Sequence, residues 1–139
     1  MNRVFDKNLF ILEELFGKEE VSLKLDRLKY IFENTEEKWA ENLKLLKNSE
    51  IRYLLICEAP PFSEIEPPKY FYNYHNKNFN KEIWKTFYPN EIFPNDKEYY
   101  FSKLVEVGFL IIDTLPFSMF FQNKRKNKNY YNLLKNSFE

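Results

Sequence analysis

Residues Arg52 to Pro61 read Arg-Tyr-Leu-Leu-Ile-Cys-Glu-Ala-Pro-Pro, an apolar run that ends on a carboxylate followed by two prolines. No other stretch constrains the fold as much. Tyr53 to Cys57 has no apolar/polar alternation, the pattern of a strand covered on both faces, as at the centre of a parallel α/β sheet. In open α/β sheets ligands bind beyond the carboxyl ends of the strands, which is where Glu58 falls. Pro60 and Pro61 fix φ, donate no N–H and disfavour helical geometry at Ala59 and Pro60. The loop is therefore expected to leave the strand extended and stiff, with Glu58 held in place.

A second apolar run, Phe109 to Ile112, also ends on a carboxylate, Asp113. A helical crossover between the runs makes them parallel neighbours. Glu58 and Asp113 are then expected to open onto one edge of the sheet. The fold class expected is α/β, a small, mostly parallel sheet flanked by helices.

With 139 residues the chain is expected to be one domain, residues 1–139. Its N-terminal part, 1–50, reads as helical, and 51–139 as a strand-helix-strand core with an aromatic loop. Val4 to Phe16 carries a helical apolar stripe and stops at Gly17. Ser22 is positioned to cap a second helix through Leu23, Leu25, Leu28, Ile31 and Phe32. Thr35, with Glu36 and Glu37 in the first turn, opens a third that buries Trp39, Leu43 and Leu46. Further on, Lys81 to Phe87 reads as a short helix, Asn95 or Asp96 caps another ending at Gly108, and Tyr130 to Phe138 forms a last one. The connection Phe62 to Asn80 is long and rich in Tyr, Phe and Asn, so it is expected to bind something rather than be disordered.

Composition excludes several chemistries. One cysteine and one histidine leave no internal disulfide and no Cys/His zinc cluster. Two glycines cannot write a P-loop or a dinucleotide fingerprint, so no cofactor is expected. A formal net charge of zero argues against coating nucleic acid by bulk charge. No run approaches about 18 apolar residues, and acidic residues interrupt the first apolar segment. Neither a membrane span nor a signal peptide is expected, and the chain reads as cytoplasmic.

The chemistry then falls on the two strand ends. Glu58 there can activate water or stabilise a developing cation; its other reading is a local cap. Asp113 before Thr-Leu-Pro is either its partner or a turn-former. Phe71 and Tyr72 with Asn73 suit stacking on a base and hydrogen-bonding its edge, against ordinary packing of the loop onto the core. His75 is a candidate proton shuttle. Cys57 reads as a small buried hydrophobe within the strand. Lys124, Arg125 and Lys126 form a short basic run able to grip phosphates or simply to solubilise a loop.

Leu54-Leu55-Ile56-Cys57-Glu58-Ala59-Pro60-Pro61, then Tyr70-Phe71-Tyr72-Asn73, then Gly108-Phe109-Leu110-Ile111-Ile112-Asp113 together resemble the uracil-DNA glycosylase superfamily. The nearest branch is an uncharacterised bacterial one with a strand-Glu-Ser/Ala-Pro-Pro motif. The resemblance covers Arg52 to Asp113 and implies a uracil-DNA glycosylase-like three-layer fold. It implies that Glu58 positions the attacking water, that Phe71 or Tyr72 stacks on a flipped base with Ala59 and Pro60 alongside, and that Asp113 reads the base edge. Asp113 stands where the family usually has Asn, and an ionised carboxylate only accepts, so it fits an amino-bearing edge better than uracil. The family's second catalytic loop, a His-Pro-Ser-like segment, has no counterpart here. The fold is thus expected to lack its C-terminal part, with two strands where the family has four.

Three functions follow as expectations. The first is a metal-free DNA base glycosylase. The second is an inactive relative that binds nucleic acid or a protein. The third is a hydrolase in which Glu58 and Asp113 share Mg²⁺. A two-stranded sheet leaves edges open, so another copy or a partner protein is expected to complete it.

Overall fold

The structure, a computed structural model, describes residues 3–74, 77–115, 118 and 128–137. In chain order these form α1 (Arg3–Phe16), α2 (Lys18–Leu46), β1 (Tyr53–Cys57), a single 3-10 turn (Phe71–Asn73), α3 (Lys77–Phe87), α4 (Lys97–Glu106), β2 (Phe109–Asp113) and α5 (Lys128–Ser137). The architecture is mixed α/β, five helices around a two-stranded parallel sheet among the described residues. Register runs from Tyr53 opposite Phe109 to Cys57 opposite Asp113. The two expected strands are present, adjacent and parallel.

The helical N-terminal part differs from expectation in one respect. Helices two and three are a single 29-residue helix, α2. Nothing between Lys18 and Leu46 is Gly or Pro, so no residue breaks the backbone ladder. Thr35, expected as a cap, instead turns its hydroxyl back to donate to the Phe32 carbonyl at 2.9 Å, inside the helix. Leu23 and Leu43, expected in the core, are exposed; Val21, Leu28, Ile31, Phe32, Thr35, Asn42 and Leu46 form the buried stripe. Gly17, at φ 88°, separates α1 from α2 as the sequence suggested. Asp96 caps α4, accepting from the Tyr99 N–H at 2.6 Å.

Two apolar clusters fill the interior. One joins α1, the first half of α2, Leu115 and Tyr130 of α5. The other is aromatic and surrounds β2 with Leu46, Tyr70, Phe71, Tyr72, Trp84, Tyr100 and Phe101. At 1.5 Å per residue α2 extends about 43 Å and serves both.

The strands differ in cover. Phe109, Leu110 and Ile111 of β2 are buried, whereas Tyr53, Leu54 and Ile56 of β1 are 52, 52 and 60 % exposed. Among the described residues β1 is therefore an edge strand and not the covered central strand its composition suggested. The free side of β2 is closed by side chains. The Tyr72 hydroxyl accepts from the Ile111 N–H at 2.9 Å and donates to the Ile111 carbonyl at 3.3 Å, and Trp39 Nε1 donates to the same carbonyl at 3.4 Å. These contacts take the place of a third strand.

Gly108 sets the entry to β2. Its φ is +75°, and a Cβ there would meet the Glu50 carbonyl oxygen at 2.3 Å. Its own carbonyl accepts from the Arg52 and Tyr53 N–H groups at 2.8 and 3.1 Å, which brings β1 in beside it.

Candidate functional site

The strand ends stay together past the last ladder residues. Thr114 N–H donates to the Cys57 carbonyl and Leu115 N–H to the Glu58 carbonyl, each at 2.8 Å. Pro60 turns inward and is buried, while Pro61 is exposed. The loop that follows is fastened to α2 by one arginine. Arg27 donates from Nε to the Ser63 carbonyl at 2.7 Å, from Nη2 to the Ile65 carbonyl at 2.6 Å, and from Nη1 to Glu66. Tyr30 donates to the same carboxylate at 2.8 Å. Ser63 Oγ accepts from the Lys69 N–H, and Asn73 donates to Asn34 and to the Pro68 carbonyl. No local pattern announces this clamp, because its two halves lie 36 to 39 residues apart.

Two small cavities open beside the strand ends. One, about 220 Å³, is lined by Thr35, Glu36, Trp39, Pro60, Tyr70, Ile112 and Asp113. The other, about 150 Å³, includes Cys57, Ala59, Pro60, Lys69, Tyr70, Phe71, Phe79 and Asp113 in its wall. Pro60, Tyr70 and Asp113 belong to both. Asp113 is thus the carboxyl between them.

Burial pushes the Asp113 carboxyl up to about 6. Near neutral pH it exists in both forms, accepting hydrogen bonds when ionised and offering one O–H when protonated. Its charge also reaches its neighbours. The Cys57 thiol is raised first by burial and then by Asp113, the reverse of an activated thiolate. Tyr70 is raised by burial and then by Asp113; Tyr72 is raised by burial, partly offset by its hydrogen bond to Ile111. Both phenols stay protonated, and that of Tyr72 donates to the Ile111 carbonyl.

The register decides what stands next to Asp113. Cys57 is its direct partner, and the pleat alternates faces, so Glu58 falls one step out of phase. Glu58 is half-buried and is not among the residues lining either cavity. Cys57 is only half-buried and belongs to the cavity wall, although its sequence context suggested a buried strand residue.

The aromatics after the loop are folded inward. Phe71 and Tyr72 are 7 and 4 % exposed, and Asn73 is buried. Phe71 meets Tyr72, Phe79, Tyr100, Phe101 and Phe109 edge-to-face, at centroid distances from 4.9 to 6.3 Å. Its rim still forms part of the smaller cavity. His75 and the run Lys124, Arg125 and Lys126 lie outside the described residues. Tyr70, quoted in the sequence motif without a role of its own, reaches the site, as do Trp39 and Glu36 from the middle of α2, which the sequence assigned only to a helix.

Among the described residues no group of three or more His, Cys, Asp or Glu is placed to hold a metal ion. No helix among them is long and apolar enough to cross a membrane. Comparison with protein-family models, curated proteins and solved structures finds no match to this chain.

Proposed function

We propose that this chain is a DNA base glycosylase-like protein built on the front of a uracil-DNA glycosylase-like fold. The observation that carries the reading is Asp113: a buried carboxyl, raised to about 6, between two small cavities at the end of a parallel strand pair. Both cavities are below the roughly 300–1,000 Å³ of sites that engulf drug-sized ligands, a scale that suits one flat ring. In the reaction a flipped base enters beside Tyr70 and Pro60, and Asp113 hydrogen-bonds its edge. Water held by Glu58 adds to the sugar C1′ as the C1′–N bond breaks. The base leaves with the bonding electron pair, and the proton lost by water passes to the carboxylate.

The test uses single- and double-stranded oligonucleotides carrying uracil, hypoxanthine or other altered bases, followed by alkaline cleavage of abasic sites. Strand scission that persists in EDTA and falls about 100-fold or more in Asp113→Asn or Glu58→Gln supports the reading. Scission abolished by EDTA points to a shared Mg²⁺ instead.

A second reading, an inactive relative that binds nucleic acid or a protein, is favoured by one observation. The ring assigned to stack on the base, Phe71, is already packed edge-on within the aromatic core. Binding without scission, unchanged in Glu58→Ala, selects it.

A further inference from the structure

A further cavity, about 350 Å³, lies between the second half of α2 and the first turns of α4. It shares no wall residue with the two cavities at Asp113 and is larger than either, within the range of sites that take small organic ligands. Its wall is apolar where it is deepest: Phe101 and Tyr72 are buried, and Leu45 adds an exposed aliphatic side chain. The Tyr72 hydroxyl is committed to Ile111, so Tyr72 offers this space only its ring. Lys38 and Lys97 stand against Glu41 and Glu98, with Lys38 held by the Glu41 carboxylate at 3.1 Å. The charges around the cavity therefore cancel.

One polar group in the wall is unmet. Asn42 belongs to the buried stripe of α2 and is 6 % exposed, and its Nδ2 is withdrawn from solvent without a hydrogen-bond partner among the described residues. Asn8 and Asn73 are buried to a similar degree, but their amides donate to the Val4 carbonyl and to Asn34 and the Pro68 carbonyl. An apolar side chain at position 42 would continue the stripe without the cost of an unpaired donor. An amide kept there, in the wall of a cavity of ligand size, is accounted for by an acceptor that arrives with a ligand.

We propose that this cavity binds a small neutral molecule with an apolar body and one carbonyl or amide oxygen, which accepts from Asn42 Nδ2. The aromatic wall covers the body. The balanced rim gives a charged ligand nothing to offset its lost hydration. The site stands apart from the glycosylase reading and does not depend on it.

Titration of the full chain with N-methylbenzamide, toluene and benzoate, followed by two-dimensional amide NMR, tests the proposal. N-methylbenzamide is expected to bind about tenfold more tightly than toluene or benzoate, shifting the Asn42 side-chain amide and the backbone amides of Phe101 and Ser102. Asn42→Leu is expected to abolish that preference while melting no lower than wild type, whereas an amide with a purely structural role would lower the Tm on removal. Ser102→Trp, at an exposed position of the wall, is expected to block all three probes. Wild-type protein that binds none of the probes, prefers toluene or benzoate, or shows shifts centred on Asp113 and Tyr70 overturns the proposal. So does a preference for N-methylbenzamide that survives in either variant once circular dichroism confirms that the variant is folded.

Discussion

β1 and β2 have the same length and nearly the same composition, and each runs into a carboxylate, yet one is buried and the other lies open. The difference comes from outside the strands. β2 is covered by α4 and the aromatic cluster, and its edge is closed by Tyr72 and Trp39. β1 has β2 on one side and no strand on the other among the described residues. An unbroken apolar run records a demand for cover. Whether the demand is met depends on residues tens of positions away.

Substitutions along the two strands sharpen this contrast. The largest effect is expected at Gly108, where β2 enters beside β1. Gly108→Ala sets a Cβ against the Glu50 carbonyl at a positive φ, and urea unfolding is expected to show a loss of about 3 kcal/mol or more. Next come equivalent truncations in the two strands. Ile111→Ala, in β2, is expected to cost about 2–4 kcal/mol, and Ile56→Ala, in β1, less than about 1 kcal/mol, measured by the same unfolding curves. Equal losses would erase the distinction between the strands.

Asp113 gives a pH signature. Its folded value lies above its ordinary one, so its contribution to stability is full below about 4 and is lost as pH rises through about 6. Asp113→Asn is expected to flatten that part of the stability profile and to stabilise the protein at pH 7 by about 2 kcal/mol, allowing for solvent screening. Thermal melts between pH 4 and 8 would show it. A further loss of about 1–2 kcal/mol is expected from Tyr72→Phe, since it strips the hydroxyl from both backbone groups of Ile111. Faster amide exchange at Ile111, with β1 amides unchanged, would place that loss at the β2 edge.

These contrasts mark what was legible in advance. Both strands, their parallel pairing and the stops at Gly17 and Gly108 followed from local pattern, since Gly and unbroken apolar runs act within a few residues. Asp96 was readable as a cap for the same reason. The continuity of α2 was not, because Ser22 and Thr35 suit a helix interior as well as a cap once no Gly or Pro intervenes. Nor was the cover of β2, which depends on a tyrosine 39 residues away and a tryptophan 72 away. At the site, Asp113 was identifiable from its place after a strand, but the choice of Cys57 over Glu58 as its neighbour depends on register.

α2 carries a consequence of its own. Its first half belongs to the cluster around α1, and its last turn to the cluster around β2. Neither cluster can melt alone without fraying a helix that the other still holds, so heating is expected to produce one cooperative transition despite two separate cores. The rod is, in effect, the axle on which the halves of the protein turn together.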